Sequence, residues 1–251
     1  MKELEKNRKY SLLFIGNSYT FFNDMPTETF EKAARSAGYN LKVTTVTSGG
    51  YTFERFADSS DKHGARVDEA LDGKKYDFVI LQEQSVRPAS DPKKFIDGLC
   101  ALYNKVGKAV DKVFLYATWG RKAESKELSD RGWTSRYMTD RLAASYTVAS
   151  EKIGAEAAYV GLAFADIYEN CPEIDLYNPD CSHPSAIGSY LIGITLFAKV
   201  FGVDPRTLDF ETPFDKKDTE ILKNAAYKVV FEEQSISQEQ KEDILKVLSE
   251  N

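Results

Sequence analysis

Five short apolar, β-favouring runs recur along this chain with helical segments between them, and that alternation restricts the fold more than any other feature. The runs cover residues 10–15, 41–47, 77–81, 112–118 and 157–160. They are near-continuous hydrophobic stretches and not strict alternations, which is how strands covered on both faces read. Helical patterning is expected over 27–37, 62–71, 92–110 and 135–153. A last core helix is expected from His183-Pro184 to about Gly202, with proline in the first turn and glycine at the far end. Strands alternating with helices imply a parallel sheet with helices on both faces. The expected architecture is a doubly wound α/β domain in strand order 2-1-3-4-5, one domain spanning 1–251. Amphipathic stretches at 216–231 and 238–248 are expected as surface helices on that domain, within about 215–251.

Composition narrows the function classes. The formal charge is -6 and both signs are mixed along the chain, whereas nucleic acid or an anionic membrane rewards a concentrated basic patch. Neither is expected as a partner. No stretch is apolar for long enough to span a bilayer; the best candidate, 190–203, is short and contains Lys199. The first nine residues are charged and lack the apolar region of a signal peptide, so a cytoplasmic location is expected; the alternative is a secreted protein whose signal was removed. The three cysteines, Cys100, Cys171 and Cys181, are odd in number and widely spaced, which suits reduced thiols better than a disulfide framework. With two histidines and no CxxC or HExxH pattern, neither a metal centre nor a cofactor is expected.

In a parallel α/β fold the strand carboxyl ends carry function. The first run ends in Gly16-Asn17-Ser18-Tyr19-Thr20, the second in Ser48-Gly49-Gly50, and the third in Gln82-Glu83-Gln84-Ser85. Later comes Asp180-Cys181-Ser182-His183-Pro184-Ser185. A serine hydrolase needs a hydroxyl, a base, an orienter for the base and donors for the oxyanion. His183 can be the base, and Asp180, three residues earlier, can turn its carboxylate to the imidazole within one local loop. Ser18 begins the turn after a strand, where backbone N–H groups point outward. Its own N–H, that of Gly50 and the side-chain amide of Gln84 can converge on one oxyanion.

These residues resemble the blocks of the SGNH/GDSL hydrolase superfamily. Phe14-Ile15-Gly16-Asn17-Ser18 is similar to its first block, Gly50 to the glycine of the second, and Asp180-x-x-His183 to the last. The resemblance implies Ser18 as nucleophile, Asp180 and His183 as acid and base, and Ser18, Gly50 and Gln84 as oxyanion donors. It also implies a three-layer α/β/α sandwich with five parallel strands. The chain departs from the usual pattern twice. Asn17 stands where many members have aspartate, and Gln82-Glu83-Gln84-Ser85 stands where a Gly-x-Asn-Asp block is usual. Glutamine would offer the same amide on a longer stem, with Gln82 as the alternative donor. The wording Leu81-Gln82-Glu83-Gln84-Ser85 resembles an uncharacterised bacterial SGNH subgroup.

Simpler roles exist for each residue. A serine after a strand is commonly a helix cap, His-Pro is a common helix start, and Gly-Gly commonly forms only a turn. Asp180 could cap a helix, leaving Asp175 as orienter. His63, among charged residues, fits a surface helix. Trp119 and Trp133 flank the unpatterned segment 119–133; they suit packing, or else a sugar-stacking platform at the mouth of the site. The expected reaction is hydrolysis of a small acyl ester, first of all an acetyl group on a carbohydrate, through an acyl-Ser18 intermediate. The rivals are a thioesterase or lysophospholipase using the same residues, and a non-catalytic sugar- or acyl-binding protein.

Overall fold

The computed structural model describes residues 4–232, 234 and 236–250. Five strands form one parallel sheet: β1 (Lys9–Gly16), β2 (Asn40–Thr47), β3 (Tyr76–Leu81), β4 (Val110–Tyr116) and β5 (Glu156–Ala158), in the order β2-β1-β3-β4-β5. This is the expected order. The helices, in chain order, are α1 (Ser18–Phe21), α2 (Lys32–Ser36), α3 (Phe53–Ala57), α4 (Lys62–Leu71), α5 (Arg87–Ser90), α6 (Pro92–Val106) and α7 (Lys126–Arg131). They continue with α8 (Ser135–Ile153), α9 (Val160–Asn170), α10 (Ala186–Phe201), α11 (Lys216–Phe231) and α12 (Gln238–Ser249).

The centre of the sheet is buried on both sides because β1, β3 and the second half of β4 are apolar at successive positions, and successive side chains point to opposite faces. Leu12, Phe14, Phe78, Ile80, Phe114 and Tyr116 face a core closed by α9, α10 and α11. Leu13, Ile15, Val79, Leu81, Val113 and Leu115 face a second core closed by α3, α4, α6 and α8. The result is three layers. Helix α10 is apolar all round and nearly every residue of it is buried, since it lies between the sheet and α11. The C-terminal helices pack as expected: α11 against α10 and α9, α12 against α8 and α6 with Ile244 buried.

Register sets where the loops emerge. Gly16 pairs with Thr47 and Ile15 with Leu81, so the chain leaves β1, β2 and β3 at one level of the same edge. Ser18, Gly50 and the 82–85 segment therefore start as neighbours.

Several boundaries differ from expectation, each for a local reason. The helix expected over 92–110 ends at Val106, and a 3-10 turn (Gly107–Ala109) leads into β4, which starts earlier than expected. The helix expected over 27–37 is a π-helical turn (Pro26–Glu31) followed by α2. β5 stops at Ala158, and Val160 opens α9, a helix the apolar run concealed. His183 and Pro184 precede α10 and do not start it; Ser185 is the cap, accepting from the Gly188 N–H. The segment 119–133 contains α7. Among the described residues, no helix is long and apolar enough to cross a membrane.

Candidate active site

The turn that carries Ser18, the candidate nucleophile, is built by the residues just after β1. Asn17 is extended and caps α1, its side chain accepting from the Tyr19 N–H at 3.2 Å. The Asn17 N–H donates to Gln82 Oε1 at 2.8 Å, and the Thr20 hydroxyl donates to the same oxygen at 2.9 Å. Asn17 Nδ2 donates to the Tyr51 carbonyl at 3.1 Å, tying this turn to the segment after β2. Gly16 is required by space: a Cβ there would lie 2.4 Å from Thr20 Oγ1 and 2.8 Å from Gln82 Oε1. Ser18 is partly exposed at the first position of α1.

Opposite it stands the 177–185 loop, closed by an antiparallel bridge between Tyr177 and Pro184. Asp180 organises the loop from within: Oδ1 accepts from the N–H groups of Ser182 at 3.0 Å and His183 at 2.9 Å. Its Oδ2 accepts from His183 Nδ1 at 2.5 Å, so the proton on that nitrogen leaves Nε2 as an acceptor. The Ser18 hydroxyl lies 2.8 Å from Nε2, in position to donate to it. Partial burial raises the Asp180 carboxyl, but the His183 ring and the two N–H groups outweigh it and hold the carboxyl below its usual range. Cys181 adopts φ +60, a left-handed conformation costly for a non-glycine residue and of the kind found where a loop is held for function.

The imidazole is also fixed by packing. The Phe22 ring stacks on it at 4.2 Å and Tyr19 meets it edge-on at 5.5 Å. The Tyr19 and Ser182 hydroxyls are 2.6 Å apart, Trp119 Nε1 donates to the Ser182 carbonyl at 3.1 Å, and the Lys122 N–H donates to the Cys181 carbonyl at 3.0 Å. The side chains of His183 and Asp180 keep 27% and 49% of their surface exposed, which leaves the site open to a bulky reactant.

The candidate oxyanion donors divide. Gly50 lies in an exposed turn at φ +67, where glycine is the residue that adopts this backbone without strain. Gln84 Oε1 accepts from the N–H groups of Val86 at 3.0 Å and Arg87 at 2.9 Å; its Nε2 has no acceptor among the described residues and stays available as a donor. Gln82, the alternative, has both ends engaged: Oε1 on the nucleophile turn, Nε2 on the Glu83 carbonyl.

Other expectations fare differently. Trp119 is fully buried, stacked between Tyr19 at 4.4 Å and Phe164 at 4.1 Å, so it cannot be a sugar platform. It supports the 177–185 loop from behind. Trp133 is partly buried on a small cluster with Val86, Ala89, Leu128, Met138 and Leu142, with the Arg131 guanidinium 5.2 Å above its ring. Asp175 is paired with Lys122 at 2.8 Å and accepts from the Tyr177 N–H, away from the imidazole. His63 sits on α4 against the Tyr51 ring at 4.6 Å. Sequence reasoning passed over Tyr19 and Phe22, whose only signal was aromatic residues directly after the candidate serine, and over Asn17 and Glu83 as structural members of the site.

No protein-family profile matches the sequence, and no curated protein matches it either. Solved structures do. A protein from Slackia heliotrinireducens described as a candidate SGNH hydrolase is 27% identical, with a TM-score of 0.66, over 77% of this chain and 100% of that one. A DUF4886 family protein from Bacteroides uniformis is 15% identical, with a TM-score of 0.77, over 92% of this chain and 98% of its own. An acetylxylan esterase from Geobacillus stearothermophilus is 17% identical, with a TM-score of 0.54, over 78% and 95%. The latter two likenesses carry the fold alone. Joined to the strand order and to the arrangement of Ser18, Asp180 and His183 at the edge of the sheet, the first places the chain in the SGNH/GDSL hydrolase superfamily.

Proposed function

We propose that this serine hydrolase is an esterase that removes a short acyl group, acetyl first among them, from a hydroxyl of a carbohydrate or similar polar metabolite. The observation that carries the reading is the continuous relay from Ser18 Oγ to His183 Nε2 at 2.8 Å and from His183 Nδ1 to Asp180 at 2.5 Å. Ser18 gives its proton to Nε2 as Oγ attacks the ester carbonyl carbon. The carbonyl oxygen becomes an oxyanion, for which the Ser18 and Gly50 N–H groups and Gln84 Nε2 are the assigned donors. The imidazolium, stabilised by Asp180, then protonates the leaving alcohol as the carbon–oxygen bond breaks. Water repeats the sequence on the acyl-serine, releasing a carboxylic acid and free Ser18.

A polar leaving group is supported by the surroundings. A depression of about 390 Å³ adjoins Gln84 and is lined by Arg87, Asp91, Lys94, Glu127 and Arg131. Lining of this kind offers hydrogen bonds to a hydroxylated substrate and imposes a desolvation cost on an alkyl chain. Acetylxylan esterases share the fold, and an acetylated sugar suits both the open relay and the charged depression. The test pairs a fluorophosphonate probe with Ser18→Ala. The wild type is expected to be labelled at Ser18 and to turn over p-nitrophenyl acetate; the variant is expected to lose both while melting at the same temperature. Undiminished turnover in the variant would overturn the assignment.

A further inference from the structure

Among the described residues, Glu83 is the one charged side chain that is fully buried, and the relay does not use it. Its position is informative. Oε2 accepts from the Phe53 N–H at 3.0 Å, at the end of the segment that carries Gly50. Oε1 accepts from the Gln84 N–H at 2.6 Å. The Glu83 N–H donates to the Tyr146 hydroxyl at 3.2 Å, and its carbonyl accepts from Gln82 Nε2. Gln82 in turn holds the nucleophile turn, and Asn17 holds the Tyr51 carbonyl. One carboxylate thus bonds simultaneously to the two loops that bring the Gly50 and Gln84 donors. The Thr52 hydroxyl is buried without a partner and gives α3 no side-chain cap; the first N–H of the helix, that of Phe53, is held by Glu83 instead.

We propose that Glu83, in its ionised form, is the positioning residue that fixes the spacing between the Gly50 and Gln84 arms of the oxyanion hole. The proposal rests on the esterase reading. The carboxylate presents a charged acceptor to each N–H group; protonation weakens the acceptor on the oxygen that takes the hydrogen. A displacement of about an ångström at a site built for a developing charge costs on the order of 10²-fold in rate.

Ionisation here opposes stability. Burial pushes the Glu83 carboxyl up to about 7, against the pull of the Gln84 and Phe53 N–H groups. The other charged or titratable groups facing it are Arg87 of α5, Glu54 of α3, which pairs with Arg87 at 2.6 Å, and Tyr146 of α8. Between the ordinary carboxylate range and about 7, the native protein holds a proton that the unfolded chain has released. Its contribution to stability therefore falls as pH rises through that window. A group retained for packing alone would gain nothing from ionising there.

The experiment compares wild type with Glu83→Gln, which keeps shape and loses one acceptor, and Glu83→Asp, which keeps charge on a shorter stem. Active sites are counted with the fluorophosphonate probe. Glu83→Gln is expected to lose about 10²-fold in kcat per titrated site with KM within about twofold. The acid limb of its kcat profile should flatten from two protons toward one, and Glu83→Asp should restore the second. The melting temperature of wild type relative to Glu83→Gln should rise from about pH 8 to about pH 5. In wild type alone, the Phe53 and Gln84 amide resonances should titrate together near neutral pH. Unchanged kcat per site in Glu83→Gln, or amides of Phe53 and Gln84 that do not titrate, would overturn the proposal. An inert wild type, neither labelled nor active, would sink the esterase reading instead, and the amide titration would still test the clamp.

Discussion

Asp180 illustrates how much one side chain can do when a loop is folded around it. One oxygen holds two backbone N–H groups and the other holds the imidazole, so the residue organises the turn and, in the proposed mechanism, orients the base. Asp180→Asn keeps the size but presents an amide to His183 Nδ1, which favours the wrong tautomer. By analogy with other triads, kcat is expected to fall by about 10⁴. Steady-state kinetics at saturating p-nitrophenyl acetate checks this, and a loss below tenfold would refute the orienting role. The carboxyl of Asp180 is held low in the native state, so it contributes stability above the ordinary carboxylate range that is lost as pH falls through its native value. Thermal melts of Asp180→Asn should accordingly decline less steeply in acid than those of wild type. The side chain is half exposed, so the difference will be small.

At the scale of elements, the end of β3 matters most, because two glutamines close in sequence are held differently. Gln82 follows β3 directly and is buried against the turn after β1, so its amide is spent on scaffolding. Gln84 lies beyond the bend, where its oxygen caps the short α5 turn and its nitrogen stays available. Gln84→Glu preserves the acceptor for Val86 and Arg87 and replaces the donor with charge. It is expected to lower kcat by about 10²–10³, the 2.7–4 kcal/mol typical of one oxyanion donor, with little change in KM. Gln82→Ala should instead lower the melting temperature, since it leaves the Asn17 N–H and Thr20 hydroxyl without their shared acceptor in a buried place. If the melting curve of Gln82→Ala is unchanged while its kcat collapses, the donor is Gln82.

The whole molecule decides acyl preference. The relay lies at the open edge of the sheet, and the depression beside Gln84 is charged. A long acyl chain would gain about 0.8 kcal/mol per methylene only in an apolar groove. Across p-nitrophenyl esters from acetyl to octanoyl, kcat/KM is therefore expected to fall after butyryl. A maximum at octanoyl would mark a thioesterase or lysophospholipase built on the same residues.

The range of the forces involved decides how much of this was legible in the chain. Strand positions, the parallel sheet and the Asp180-x-x-His183 turn rest on apolar runs and on contacts within a few residues, so the sequence by itself determined them. Helix α9 was hidden because a short apolar run reads alike as strand or buried helix. For Trp119 the sequence left packing and a platform both open, because burial is not a property of a residue type; only the packing of Tyr19 and Phe164 on its two faces removed it from solvent. Glu83 carries no local pattern that marks it out. What singles it out is that register sets the ends of β1, β2 and β3 level, so that the segment after β2 meets the segment after β3 at one buried carboxylate. Long-range juxtaposition of that kind leaves no local pattern, and tertiary structure alone decided it.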